Sequence, residues 1–208
     1  MSTLAATHPQ SADRAPASGA WPSERLPAYA GIGARKTPAD VRTLMTQAGR
    51  QLAQRGWVLR TGLAPGADQA FYLAAREAGS VELFLPWASF EQAVRDPARE
   101  LDTHTMDRAS AAARQLARTH HPAWGRLTEG VRRLHARNCH QILGPDLDSP
   151  ARFVLCWTPD GSLDGRGQRV GGTGQALRLA HECQIPILNL ARPDHRQRVS
   201  DWLEKPAA

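Results

Sequence analysis

Lysine is nearly absent from this chain. Only Lys36 and Lys205 occur among 26 basic residues, so arginine carries the positive charge. Cysteine is scarce as well. Cys139, Cys156 and Cys183, an odd number with no C-x-x-C spacing, argue against a disulfide framework and a zinc ribbon. This usage fits a reducing, cytoplasmic setting, and Cys156, inside FVLCW, reads as a small buried hydrophobe. The first 26 residues hold no apolar run long enough for a signal peptide or a membrane span. Rich in Ala, Ser and Pro, they are expected to form a disordered leader. No G-x-G-x-x-G, GxxxxGK[ST] or G-x-S-x-G pattern occurs, which argues against a standard dinucleotide site, a P-loop ATPase and a serine hydrolase elbow.

What remains is an ordinary globular composition. Of 208 residues 41% are hydrophobic and 22% charged, enough for one cored domain over residues 27–208. The net charge of +6 keeps nucleic acid open as a partner, although an arginine bias also follows from coding composition. AYAGI, 28–32, reads as a buried strand. Thr37 is placed to cap a helix with Pro38 at its first position, running to about Arg55 and stopping at Gly56. A strand over 57–60, a helix from Gly66 to Ala78 closed by Gly79, and a strand over 81–85 follow. From about Phe90 to Leu143 no strand is expected; RELDTHTMDRASAAARQLA and WGRLTEGVRRLHARNCHQIL both read as helices. FVLCW, a helix over 172–183, IPILNL and a terminal helix over 194–203 complete the pattern. Alternating strands and helices with continuous apolar strands predict an α/β, Rossmann-like three-layer domain. Its sheet is mostly parallel, with a helical insertion (about 90–145) between strands 3 and 4.

Open parallel sheets bind ligands beyond the carboxyl ends of their strands. Glycine concentrates there: GIGARK after the first strand, TGLAPGAD after the second, and a loop ending GGTGQ after the fourth. Such turns let backbone N–H groups approach an anion, and helix N-termini add free donors. The candidate phosphate-binding residues are therefore Gly31, Gly33, Arg35 and Lys36; Gly62, Gly66 and Asp68; and Gly171, Gly172, Thr173, Gly174 and Gln175, with Arg166 and Arg169 as nearby countercharge. Asp68 reads either as a helix cap or as a contact to a ribose hydroxyl.

Other groups have ordinary and sharper readings side by side. His135 and Cys139, spaced i, i+4, could join His120 or His121 in a metal site, but a packed helix end is simpler. Trp87 and Trp124 could stack on bases, though tryptophan more often packs a core. Arg126, Arg132, Arg133 and Arg137 could track a DNA backbone or form a solvated face.

The pair GIGARKTP and TGLAPGAD resembles the motifs of the DprA/Smf family, a G-S-R turn and S-G-x-A-x-G-x-D. HARN resembles that family's R-N step, and GGTGQA followed by IPIL is similar to the wider SLOG superfamily of DprA, LOG and YpsA-like proteins. Order and spacing hold from about Ala28 to Ala191. The resemblance adds Arg137 as a phosphate fork and Asn138 as a base or loop contact. It implies a Rossmann-like protein binding a nucleotide or nucleotide derivative, with no metal or cofactor and with homodimerisation common. Two alternatives follow from it: single-stranded DNA binding in recombination, as in DprA, and N-glycosidic hydrolysis of nucleoside 5′-monophosphates, as in LOG. In the LOG pattern G-G-x-G-T-x-x-E, however, Gln175 and Arg178 stand where threonine and the catalytic glutamate belong. Hydrolysis would then need Asp68 or Glu129 near the site.

Overall fold

The computed structural model describes residues 26–78, 81–106, 111–167 and 172–205; the leader, Gly79, Arg169 and Gly171 lie outside these. Six strands form the sheet: β1 (Ala28–Gly33), β2 (Val58–Thr61), β3 (Val81–Leu85), β4 (Asp102–Thr105), β5 (Val154–Trp157) and β6 (Ile187–Asn189). The helices are α1 (Ala39–Gln54), α2 (Ala67–Ala75), α3 (Ala111–Thr119), α4 (Glu129–Leu143), α5 (Thr173–Glu182) and α6 (Pro193–Leu203). The sheet order is β4-β3-β2-β1-β5-β6, and every neighbouring pair is parallel.

Both faces of the sheet are covered, which is why β1 and β5 are apolar throughout rather than alternating, while Arg60 of β2 is buried in an ion pair with Glu82 of β3 at 2.6 Å. In β1, Tyr29 points to one side and joins Leu59, Leu155, Met45 of α1, Phe71 of α2 and Val199 of α6. Ala30 and Ile32 point to the other and join Val154, Cys156, Cys139 and Ile142 of α4, and Leu177 of α5. These are the three layers of a Rossmann-like α/β domain.

Two local expectations need correction. Thr37 does not cap α1: Pro38 holds the cap position, no side chain caps the helix, and the Thr37 hydroxyl donates to the Ala34 carbonyl at 2.6 Å, closing the turn after β1. The insertion is not wholly helical either. Its DTHT stretch is β4, paired with Glu82–Leu85 at the sheet edge. An edge strand has one neighbour and little cover, so it needs no apolar run; its β-branched threonines suffice.

The topology determines where a ligand can enter. From β1 the chain adds β2, β3 and β4 in one direction, then returns to add β5 and β6 on the other side of β1. The strand order thus reverses between β1 and β5, and a crevice opens beyond their carboxyl ends.

Candidate functional site

A cavity of about 320 Å³ occupies that crevice. Gly33, Ala34 and Arg35 form its rim after β1, and Gly172 and Thr173 form the facing rim at the start of α5. The first N–H groups of a helix have no intrahelical acceptor, and no side chain caps α5. Ala64 and Asp68 enter from the β2–α2 connection. From α4 come Val131, Leu134, His135, Arg137, Asn138 and Gln141; with Ile32 and Ala176 they give the cavity an apolar wall beside its polar rim.

Asp68 organises this end of the sheet. It is 3% exposed. Its carboxylate accepts from Gly33 N–H at 3.2 Å, Gly62 N–H at 3.3 Å and Ala64 N–H at 3.4 Å, so one side chain ties the β1 turn to the β2 turn. Burial pushes its carboxyl above the ordinary value, while Arg137 and the three N–H groups pull the other way. Asp68 therefore lines the cavity while bound to backbone on three sides, and it makes no cap bond to α2.

Arg137 and Asn138 are internal rather than surface groups, at 6% and 7% exposure. The Arg137 guanidinium donates to the Gly62 carbonyl and lies 3.7 Å from Asp68 Oδ2. Asn138 Nδ2 donates to the Gly172 carbonyl at 3.2 Å. Adjacent residues on α4 thus fasten the two loops that bound the cavity. Gln175 is also turned inward, donating to Cys139 Sγ at 3.3 Å, and Gly174 is buried beside it.

Of the remaining sequence candidates, Gly31 lies in mid-strand, where a Cβ would meet Leu59 and Phe71 at 2.6 and 2.8 Å. Lys36 and Arg166 are exposed and do not line the cavity. Gly62 and Gly66 shape the β2–α2 turn behind it. Glu129 is away from the cavity, paired with Arg114 and Arg133 on the surface. Asp68 is thus the lone carboxylate among the lining residues. Arg178, at the family's glutamate position, donates to the carbonyls of His120 and Gly165 and holds loops together. Trp87 packs edge-on to Phe90, and Trp124 faces His121 and Arg132. Among the described residues no three His, Cys, Asp or Glu side chains converge as metal ligands, and no helix is long and apolar enough to cross a membrane.

Sequence reasoning passed over Gln141 and weighed His135 as a metal ligand or a packed helix-end residue, not as a group lining the cavity. Both face the cavity because the second half of α4, from His135 to Ile142, is buried all round. Burial drives the His135 imidazole down to about 4, and His121, with ring centres 4.4 Å apart, pushes in the same direction. His135 is therefore neutral in the fold at pH 7, whereas in the unfolded chain it takes a proton near pH 6.5. Between those values the unfolded chain binds more protons, so stability falls on acidification from about 6.5 to about 4. The expected loss is roughly 2–3 kcal/mol. Urea midpoints measured across this range should show it, and His135→Gln should flatten the slope; identical slopes would exclude His135 as the cause.

No family model matches this chain, and no curated protein does. Solved structures do show likeness. Two structures of the Moco carrier protein of Chlamydomonas reinhardtii match at 16% identity and TM-score 0.47, covering 86% of this chain and 85% of that chain. A structure of DNA processing protein A from Helicobacter pylori, described by its single-stranded DNA binding mode, matches at 13% identity and TM-score 0.39, covering 86% and 81%. These are distant likenesses, and the α/β architecture rests on the sheet and helices described above.

Proposed function

We propose that this protein binds a nucleotide or nucleotide derivative in the cavity between the β1 turn and the start of α5. One observation carries the reading: an uncapped helix N-terminus and an arginine-bearing turn face each other across a cavity whose other wall is apolar. The helix N-terminus and Arg35 suit a phosphate. Ile32, Val131, Leu134 and Ala176 suit a base. The resemblance of GIGARK, TGLAPGAD and GGTG to DprA/SLOG motifs supports the same reading. The Asp68–Arg137 pair serves as its scaffold.

The test is calorimetric titration with nucleoside mono-, di- and triphosphates, followed by mass spectrometry of each mixture. Saturable binding that weakens severalfold in Arg35→Ala, with every nucleotide recovered intact, is the expected result. Release of free base would replace the binding reading with glycosidic hydrolysis, and Asp68 would be the carboxylate to change. Failure of all nucleotides, together with single-stranded DNA binding that falls steeply with salt and on changing Arg132 and Arg133, would replace it with the DNA reading.

A further inference from the structure

The stripe of α4 that borders the nucleotide cavity changes character along its length. Val131, Leu134, Asn138 and Gln141 follow one another at spacings of three and four, so they share one face of the helix, and all of them line the cavity. The first two are apolar and the last two are carboxamides. Neither carboxamide is a solvated surface group: Asn138 is 7% exposed and Gln141 1%. Asn138 donates through Nδ2 to the Gly172 carbonyl at 3.2 Å, which fixes the orientation of its amide and leaves Oδ1 to accept. Gln141 Nε2 is buried and has no hydrogen-bond partner among the described residues. Arg137 Nε, on the same cavity wall, is unpartnered in the same way and can only donate. Donors kept out of water with nothing to donate to destabilise a fold, and an apolar side chain would serve better at a position that only packs.

We infer that Gln141 and Asn138 read the base of a nucleotide in this cavity, and that they select a base with a lactam edge: guanine, hypoxanthine or uracil. The inference rests on the nucleotide reading above and adds the base to it. A lactam presents a carbonyl oxygen beside a ring N–H. Its oxygen accepts from Gln141 Nε2, and its N–H donates to Asn138 Oδ1, one turn away on the same face. Adenine and cytosine present the reverse, an amino group beside an unprotonated ring nitrogen. They would set donor against donor and acceptor against acceptor. Val131 and Leu134, with Ile32 and Ala176, cover the ring. A mismatched edge is rejected strongly because it leaves desolvated groups unpaired on both sides.

The experiment uses the full chain and calorimetric titration with GMP, IMP, UMP, AMP and CMP at one ionic strength. GMP and IMP should bind tighter than AMP by roughly tenfold or more, and UMP should exceed CMP in the same sense. IMP lacks the 2-amino group of GMP, so parity between the two assigns the preference to the lactam edge. Gln141→Met keeps the length and removes the donor. It should bring GMP and AMP to within about threefold of each other, with an unchanged circular dichroism spectrum. The side-chain amide proton of Gln141 should also move downfield in an isotope-resolved NMR spectrum when GMP is added and not when AMP is added, a readout that needs no variant. AMP binding as tightly as GMP and IMP, a Gln141 amide indifferent to GMP, or a folded Gln141→Met protein that discriminates as the parent does would overturn the inference and leave the nucleotide reading intact. Binding of none of these nucleotides would overturn both.

Discussion

Replacing Arg137 by methionine is expected to destabilise the fold by roughly 3–5 kcal/mol, read as a lower urea midpoint at unchanged slope. Methionine keeps much of the length and apolar stem, so the loss reports the guanidinium. That group donates to the Gly62 carbonyl and faces Asp68 at 3.7 Å. Without it, a carboxylate that is 3% exposed loses its countercharge. Removing one member of a buried pair costs far more than the pair contributes, because the survivor stays desolvated.

The pH dependence gives this loss a signature. Burial already holds Asp68 above the ordinary carboxylate value in the intact protein. Losing Arg137 raises it further, so the folded variant holds a proton that the unfolded chain releases near pH 4. Above that point the unfolded chain binds fewer protons, and the variant becomes less stable, relative to the parent, as pH rises. The deficit should therefore be larger at pH 8 than at pH 5. Asp68→Asn in the same background should recover part of it, since the amide carries no charge to strand. A loss below about 1 kcal/mol, or a deficit independent of pH, would mean that the pair is not the fastening of the two loops.

How far the fold could be read from sequence depended on how each element is covered. β1, β2, β3 and β5 are buried or nearly so and β6 is partly covered, and their mainly apolar runs were plain. β4 was not, because DTHT lies half-exposed at an edge and satisfies its backbone through Leu83 and its neighbours on β3 rather than through an apolar surface. The edge that holds the cavity was legible because glycine gathers there. The inward turn of Arg137, Asn138 and Gln175 was not. Polar residues on a helix read as solvent-facing when nothing says which acceptors await them; those of Arg137 and Asn138 are loop carbonyls 75 and 34 residues away in the chain, and that of Gln175 is Cys139 Sγ on α4, 36 residues away. The motif marked Arg137 and Asn138 as ligand contacts, and the structure gives both a fastening role that the pattern alone could not express.

The glycines of the candidate site are expected to divide sharply, which separates scaffold from ligand contact. Gly66 adopts φ 95°, and a Cβ there would lie 2.5 and 2.6 Å from the Arg35 and Ala34 carbonyl oxygens. Gly66→Ala combines left-handed strain with a backbone clash and should cost roughly 2–5 kcal/mol. Gly62→Ala should be of similar severity, since its Cβ would run into the Arg137 guanidinium, itself held by Asp68. Gly172 differs: its φ is −64° and nothing lies within 4 Å of an added Cβ. Gly172→Ala should leave the urea midpoint unchanged to within about 0.5 kcal/mol. Gly172→Asp goes further. A carboxylate at a helix N-terminus complements the helix dipole, so stability should hold or rise slightly. The same charge would repel a phosphate at that N-terminus, and nucleotide affinity should fall by roughly tenfold or more. A Gly172→Asp protein that is stable and still binds nucleotide at full strength would show that the phosphate does not sit on α5. The β1 turn with Arg35 would then be the remaining candidate for the anion.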